Sequence, residues 1–393
     1  MKDKNIILGV TGGIAAYKAA DLTRLIIKAG GSVWPVMTRA ATEFITPLTL
    51  ETLAKNPALT GLFNKRGNGT IDHIELAAKA DLIIVAPATA NIIGKVASGI
   101  ADDLLTTIIM ATRAPILFAP AMNTKMYENP IVQDNIQKLK RLNYLFVGPE
   151  EGELACGEKG KGRLSEPESI LDAAIDCLSR KDLTDDKILV TTGPTRESID
   201  PVRFISNPSS GRMGHAIAIA ARRRGAEVVL VSGPSSLPPP GGVTLINVTT
   251  AEEMAEASLS HFPQSTIVIM AAAVSDLRPR TASKRKINKE DVAITIETER
   301  TRDILKEMGK RKKGQFLVGF ALETDDIVKN AQNKLEEKNL DLIAANDPRA
   351  LGAEISQITL INKDNKVETL PPLSKGEVAN RILDKIIKSR SRT

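Results

Sequence analysis

Short runs of β-branched and other apolar residues recur along the chain, and between them the apolar residues spread out to the helical period. Up to residue 180 the runs are NIILGV, SVWPVM, DLIIVAP, APILFAP and YLFVGP, separated by segments such as AAYKAADLTRLIIKAG and DDLLTTIIMATR. Strands alternating with crossover helices predict a parallel sheet covered on both faces. The stretch SRKDLTDDK is charged and poor in apolar residues, and reads as a linker. The pattern then restarts with ILVTTGPT, AEVVLVSGP, STIVIMAAA, QFLVGFALET and LDLIAAND, followed by an expected hairpin at ISQITLINKDNKVETL and a last helix from about Ser374. Two open parallel-sheet α/β domains are therefore expected, residues 1–185 and 186–393, with no short-period repeat. Two domains also suit a chain of 393 residues, since one core serves roughly 100–200 residues.

Composition narrows the classes of function. Apolar residues make up 42% of the chain and it holds only two cysteines, which suits a folded protein of a reducing compartment, and the cytoplasm is the expected location. The opening MKDKNIILGVTGG has a short apolar run ending at glycines, so it is expected to be a first strand and not a signal peptide. No apolar run approaches the roughly 20 residues of a membrane span. The net charge of +6 invites a nucleic-acid reading, but aromatics are 3% of the chain, leaving little to stack on bases. Small anionic ligands are the better reason for the positive balance, and neither a nucleic-acid nor a membrane partner is expected.

Open α/β sheets bind ligands outside the carboxyl ends of their strands, so the loops there matter most. In GVTGGIAAYK, Gly9, Gly12 and Gly13 lie between a strand and a helix, where bare amides suit a phosphate. The spacing is not the dinucleotide fingerprint, and the second strand ends VMTRAA without the acid that would hold a ribose, so NAD is not expected. APATAN and APAMN each follow a strand and end in an amide, at Asn91 and Asn123. His73 is one of three histidines. Cys177 sits among apolar neighbours as structural thiols do, whereas Cys156 stands among glycines and charges in ELACGEKGKGRLSE, where a reactant can reach it.

In the second half a long loop carrying Arg196, Arg203 and Asn207 precedes SSGRMG, whose hydroxyls and helix start suit another phosphate. Asp276 follows the strand in MAAAVSDLRPR, and Lys286 and Lys289 follow in KRKINK. A carboxylate beside lysines suits a metal-triphosphate site; the same lysines also read as a solvated charge run. Lys334 and Lys338 share one helix face through their spacing of four.

The first half resembles the flavin-containing cysteine decarboxylases, with a Gly-rich first loop, a histidine ahead of APATAN, the Pro120 to Asn123 motif and a cysteine in a Gly-rich flap, in that order. The resemblance implies a flavodoxin-like, trimer-forming domain that binds FMN and decarboxylates phosphopantothenoylcysteine. It implies flavin contacts at Gly12, Gly13, Thr38, Ala88, Thr89 and Asn91, a substrate carboxylate held by Asn123, assistance by His73 at the flavin, and Cys156 as proton donor.

The second half, through PTRE, RFISNPSSG, AAAVSD, KINK, GFALET and AND, is similar to the phosphopantothenate-cysteine ligase domain. That similarity implies a Rossmann-like fold and an acyl-cytidylate made from CTP with Mg2+, handled by Asn207, with Arg203 supporting substrate anions. Met270, Ala271, Ala272, Asp276, Lys286, Arg302, Asp303, Ile304, Leu305, Phe320, Lys334 and Lys338 fall where that family contacts CTP. Arg302, Leu277 and Asn288 depart from the residues usual there. The substrates implied are phosphopantothenate, cysteine and CTP, and the implied assembly is a homododecamer built from trimers and dimers. Metal ligands are not assigned.

Overall fold

The computed structural model describes residues 1–62, 72–153, 157, 159–287, 295–322, 326–346 and 355–391, the side chain of Asp72 excepted. The chain forms two compact units, Met1–Ser179 and Arg180–Thr393. The boundary precedes the expected one near 185 for a physical reason. Leu183, the lone apolar residue of the charged stretch, is 1% exposed in the second core, and Asp182 pairs with Arg224 at 2.8 Å.

The first unit runs β1 (Asn5–Val10), a 3-10 turn (Ile14–Tyr17), α1 (Lys18–Lys28), β2 (Ser32–Met37), a second 3-10 turn (Arg39–Glu43), α2 (Pro47–Ala54), α3 (Asp72–Lys79), β3 (Leu82–Ala88), α4 (Ala90–Ala97) and α5 (Leu104–Ala111). It continues with β4 (Ile116–Pro120), α6 (Thr124–Glu128), α7 (Pro130–Arg141), β5 (Leu145–Phe146), the hairpin β6 (Glu150–Glu153) and β7 (Lys159–Arg163), and α8 (Pro167–Leu178). Its sheet is parallel, in the flavodoxin-like order β2-β1-β3-β4-β5. Alternation along β1 puts Ile6, Leu8 and Val10 against Leu22 of α1 and Ile170 of α8, while Ile7 packs with Ile92 of α4 and Ile108 of α5. Burial of both faces is why the strands read as unbroken apolar runs.

The second unit contains β8 (Lys187–Thr192), the hairpin β9 (Arg196–Ser198) and β10 (Phe204–Ser206), α9 (Arg212–Arg223), β11 (Glu227–Ser232), β12 (Thr244–Asn247), α10 (Ala251–His261), β13 (Ile267–Met270), and the pair β14 (Leu277–Pro279) and β15 (Thr298–Arg300). Then follow α11 (Ile304–Arg311), β16 (Phe316–Leu322), α12 (Ile327–Glu337), β17 (Leu342–Asn346), β18 (Ile355–Ser356), β19 (Ile358–Asn362), β20 (Val367–Thr369), β21 (Leu373–Ser374) and α13 (Lys375–Arg390). The sheet order is β12-β11-β8-β13-β16-β17-β19-β20. Its first six strands are parallel in the Rossmann order, whereas β19 and β20 form the expected hairpin and close the edge antiparallel. Ser374 caps the last helix in a reciprocal box with Glu377. No helix among the described residues is long and apolar enough to cross a membrane.

Candidate functional sites

In a doubly wound sheet the strand order reverses between two neighbouring strands, and the loops leaving them in opposite directions open a crevice. In the first unit those strands are β1 and β3. A cavity of about 1090 Å³ lies there, lined by Gly12, Gly13, Thr38, Thr89, Asn91 and Asn123 among others. Of the helical segments that begin on its wall among the described residues, those starting at Gly13, Thr38, Thr89 and Asn123 carry no acid in their first turns, whereas α1 carries Asp21 and α5 is capped by Asp103. The Thr38 and Thr89 hydroxyls accept the amides of Ala41 and Ile92, and Thr11 donates to the Pro87 carbonyl at 2.7 Å, fixing the two loops. Gly13 offers no side-chain cap, so the turn it opens begins at the cavity wall without a capping hydroxyl. Gly12 is required by packing: a Cβ there would stand 2.4 Å from that of Ala40.

In the second unit the order reverses between β8 and β13, and a cavity of about 500 Å³ opens at that point. Asn207, Met270, Ala271, Ala272, Asp276, Arg302, Asp303, Ile304, Leu305, Phe320, Lys334 and Lys338 all line it. The Asn207 amide donates to the Val274 carbonyl at 3.0 Å, tying the SSGRMG loop to the loop after β13. Thr192 donates to the Gly211 carbonyl at 2.7 Å beneath the start of α9. Arg302 is bound by Glu307 and Glu252 at 2.5 and 3.2 Å, so its charge is already spoken for inside the protein.

Other expected residues lie elsewhere. Ala88 is fully buried at the end of β3. His73, on α3, is outside the residues lining the first cavity, and its Nδ1 is buried without a partner among the described residues. Arg203 also lies off the cavity wall: its guanidinium donates to the Ile287 carbonyl at 2.6 Å and sits 3.5 Å from the buried carboxylate of Asp200. Lys286 is exposed and lies outside the cavity lining. Cys156, Asn288 and Lys289 lie outside the described residues.

The cavities also contain residues that motif reading did not single out. Lys18 and Lys95 line the first, paired with Glu166 and Asp102 at 2.9 Å each. Arg212, Asn346 and Lys375 line the second, and the Asn346 Oδ1 is buried without a hydrogen-bond partner among the described residues. Asn346 stands in the AND motif at the end of β17, which was its one visible signal. Among the described residues no group of three His, Cys, Asp or Glu side chains is placed to hold a metal ion.

Residues 1–179 match the family described as Flavoprotein, and residues 183–389 match the DNA/pantothenate metabolism flavoprotein C-terminal domain. The chain is 48% identical over 394 residues to the coenzyme A biosynthesis bifunctional protein CoaBC of Bacillus subtilis (strain 168), covering 98% of this chain and 97% of that protein. The chain belongs to the coenzyme A biosynthesis bifunctional protein family. A member from Haemophilus influenzae is 44% identical over 398 residues, covering 100% of this chain and 99% of its own. A cysteine/cysteine sulfinic acid decarboxylase from an unknown prokaryotic organism is 47% identical over 354 residues, covering 87% of this chain and 99% of its own. Among solved structures, the C-terminal domain of the bifunctional protein CoaBC is 45% identical, covering 54% of this chain and all of that one, with a TM-score of 0.48. In this family's terms the first cavity belongs to the flavoprotein half and the second to the pantothenate-metabolism half.

Proposed function

We propose that the two cavities serve two consecutive reactions of coenzyme A biosynthesis. The chain is a bifunctional enzyme: the second unit is the phosphopantothenate-cysteine ligase and the first is the phosphopantothenoylcysteine decarboxylase. The observation that carries this reading is that each half matches its family over its own length and opens its cavity at its own strand-order reversal.

The ligase must activate a carboxylate, which is a poor acylating agent. The carboxylate of phosphopantothenate attacks the α-phosphorus of CTP, pyrophosphate leaves, and the amine of cysteine then displaces CMP from the acyl-cytidylate. Asn207 is assigned to the acyl-cytidylate. Asp276, which makes no ion pair among the described residues, suits a magnesium ion carried on the triphosphate or a ribose hydroxyl. Lys334 and Lys338 reach the cavity from α12, and Asp303 to Leu305 form the opposite wall.

The first cavity fits FMN: the helical starts at Gly13, Thr38 and Thr89, which carry no acid in their first turns, suit a phosphate, and Gly12 keeps the first loop close to Ala40. Gly12, Gly13, Thr38, Thr89 and Asn91 would hold it. When bound, FMN would supply reversible two-electron redox chemistry at the substrate's thiol-bearing carbon, the electron sink that loss of carbon dioxide needs. Asn123 holds the departing carboxylate, His73 assists at the flavin, and Cys156 supplies the proton that the decarboxylated carbon needs. The same resemblance supports a cytoplasmic homo-oligomer. Ile14 and Tyr17, 61% and 57% exposed at the cavity rim, are the kind of apolar surface that a second copy covers.

Mass spectrometry of the flavin-loaded protein with phosphopantothenate, cysteine, CTP and magnesium tests this. Phosphopantetheine, CMP and pyrophosphate are expected, and Cys156→Ser should stop the sequence at phosphopantothenoylcysteine. Unchanged substrates would overturn the reading. The relative named as a cysteine/cysteine sulfinic acid decarboxylase favours a second reading, decarboxylation of free cysteine; carbon dioxide released from cysteine without CTP would establish it.

A further inference from the structure

Arg212 opens α9 and Lys375 opens α13, and both side chains line the second cavity. Neither makes an ion pair with an acid among the described residues. The described side-chain partner of the Lys375 ammonium is the hydroxyl of Ser356, itself 2% exposed. Burial, and then the charge of Arg212, hold the Lys375 pKa below its ordinary value, so the two cations repel each other across the same wall. Like charges held together without a counter-charge are relieved by an anion. Ser209 and Ser210 stand beside them, and α9, a twelve-residue helix, begins at Gly211 with no capping side chain, so its first amides face the same region. Lys338, by contrast, is already neutralised by Asp303 at 2.9 Å.

We propose that Arg212 and Lys375 form a two-sided clamp for a phosphoryl group, reaching it from α9 and α13. The group is either the polyphosphate of the nucleotide or the phosphomonoester of the acyl substrate. The inference rests on the ligase reading for that choice of source and not for the clamp itself. Asp276 shares the cavity without pairing with either cation, so the clamp and the carboxylate remain separate features of the wall.

Calorimetric titration of inorganic pyrophosphate into the full chain tests the clamp directly. The wild-type protein should bind it, and Lys375→Met should weaken binding about tenfold or more, as expected for one charge-assisted contact. Lys375→Arg should stay within about threefold of wild type because the charge remains. Arg212→Met, at an exposed position, should show a comparable loss and provides the test if Lys375→Met does not fold. Wild-type affinity in both folded variants, or no binding by the wild type at millimolar pyrophosphate, overturns the proposal.

Steady-state pyrophosphate release then locates the source. A rise in KM for CTP alone assigns the polyphosphate, and a rise for phosphopantothenate alone assigns the phosphomonoester. An equal rise in KM for cysteine would mean a general structural defect and overturn the clamp. A wild-type protein that binds pyrophosphate yet makes no acyl-cytidylate keeps the clamp and removes the ligase reading.

Discussion

The Lys338 ammonium lies 2.9 Å from the carboxylate of Asp303, joining the end of α12 to the start of α11 at the wall of the second cavity. Asp303 also accepts the Lys306 amide at 3.0 Å, so one side chain caps a helix and orders a cation. Burial pushes its carboxyl upward, but the Lys306 amide and then Lys338 outweigh that and hold it below the ordinary value. A depressed carboxylate pKa means that the pair contributes above the unfolded value of about 3.9 and is lost only as pH falls through the lower folded value. The pair is therefore intact throughout the neutral range. Asp303→Asn should keep most of the cap, since asparagine caps well, while freeing Lys338. The expected outcome is a rise of about threefold to tenfold in the KM for CTP, the same at pH 6 and pH 8. An unchanged KM would separate the pair from nucleotide binding.

Gly162 sets the position of the flap hairpin. Its carbonyl accepts the Met122 amide at 3.0 Å, its φ is +155°, and a Cβ there would stand 2.1 Å from the Met122 carbonyl oxygen. The clash is with backbone, immediately before Asn123, and cannot be relieved by turning a side chain. Gly162→Ala should displace the flap from the Asn123 segment at a cost of about 1–3 kcal/mol. Decarboxylation should fall by about tenfold or more, while acyl-cytidylate formation in the other unit stays at the wild-type rate. Equal loss of both activities would show a global defect instead.

Gly12 and Gly13 make a paired test of the first loop. A Cβ at Gly12 meets Ala40 at 2.4 Å, whereas one at Gly13 has Thr89 Cγ2 at 3.7 Å as its nearest neighbour. Gly12→Ala should therefore lose bound flavin together with stability, and Gly13→Ala should unfold at the wild-type temperature. Absorbance near the flavin bands and a melting curve read both outcomes; equal melting temperatures for the two variants would contradict the packing argument.

Much of this was legible before the structure, because two parallel sheets buried on both faces write themselves as unbroken apolar runs separated by helical periods. The loops after β1, β3, β8 and β13 were identifiable for the same reason, since a strand followed at once by glycine or Ala-Pro marks a ligand-facing turn. What stayed hidden depends on distance in the chain. Lys375 reaches the second cavity from the last helix, far from the loops it faces, and no local spacing signals it. Leu183 reads as linker because one apolar residue among charges gives no period, although its burial ties the segment to the second unit. Lys286 shows the opposite difficulty: a cluster of lysines states charge but not direction, and its side chain is exposed outside the cavity lining.

The segment around Leu183 is also held electrostatically, which gives a stability test independent of either activity. The Arg224 side chain is 6% exposed and is bound by Asp182 and Asp384 at 2.8 and 2.7 Å. Removing one partner of a buried pair costs about 3–5 kcal/mol, but both acids here are a third or more exposed and water takes over part of their solvation, so about 2–3 kcal/mol is expected for Arg224→Ala. The hydrogen bond from Arg224 is the main reason Asp182 sits below its ordinary pKa. With a depressed folded value, this stabilisation is fully present above the unfolded carboxylate pKa and disappears as pH falls through the folded one. Denaturant unfolding of the wild type and Arg224→Ala should therefore differ most at neutral pH and converge in acid, with the transition of the second unit moving and that of the first staying in place. A gap that persists unchanged below about pH 3 would mean that Arg224 stabilises the unit through packing of its aliphatic stem and not through its two carboxylates.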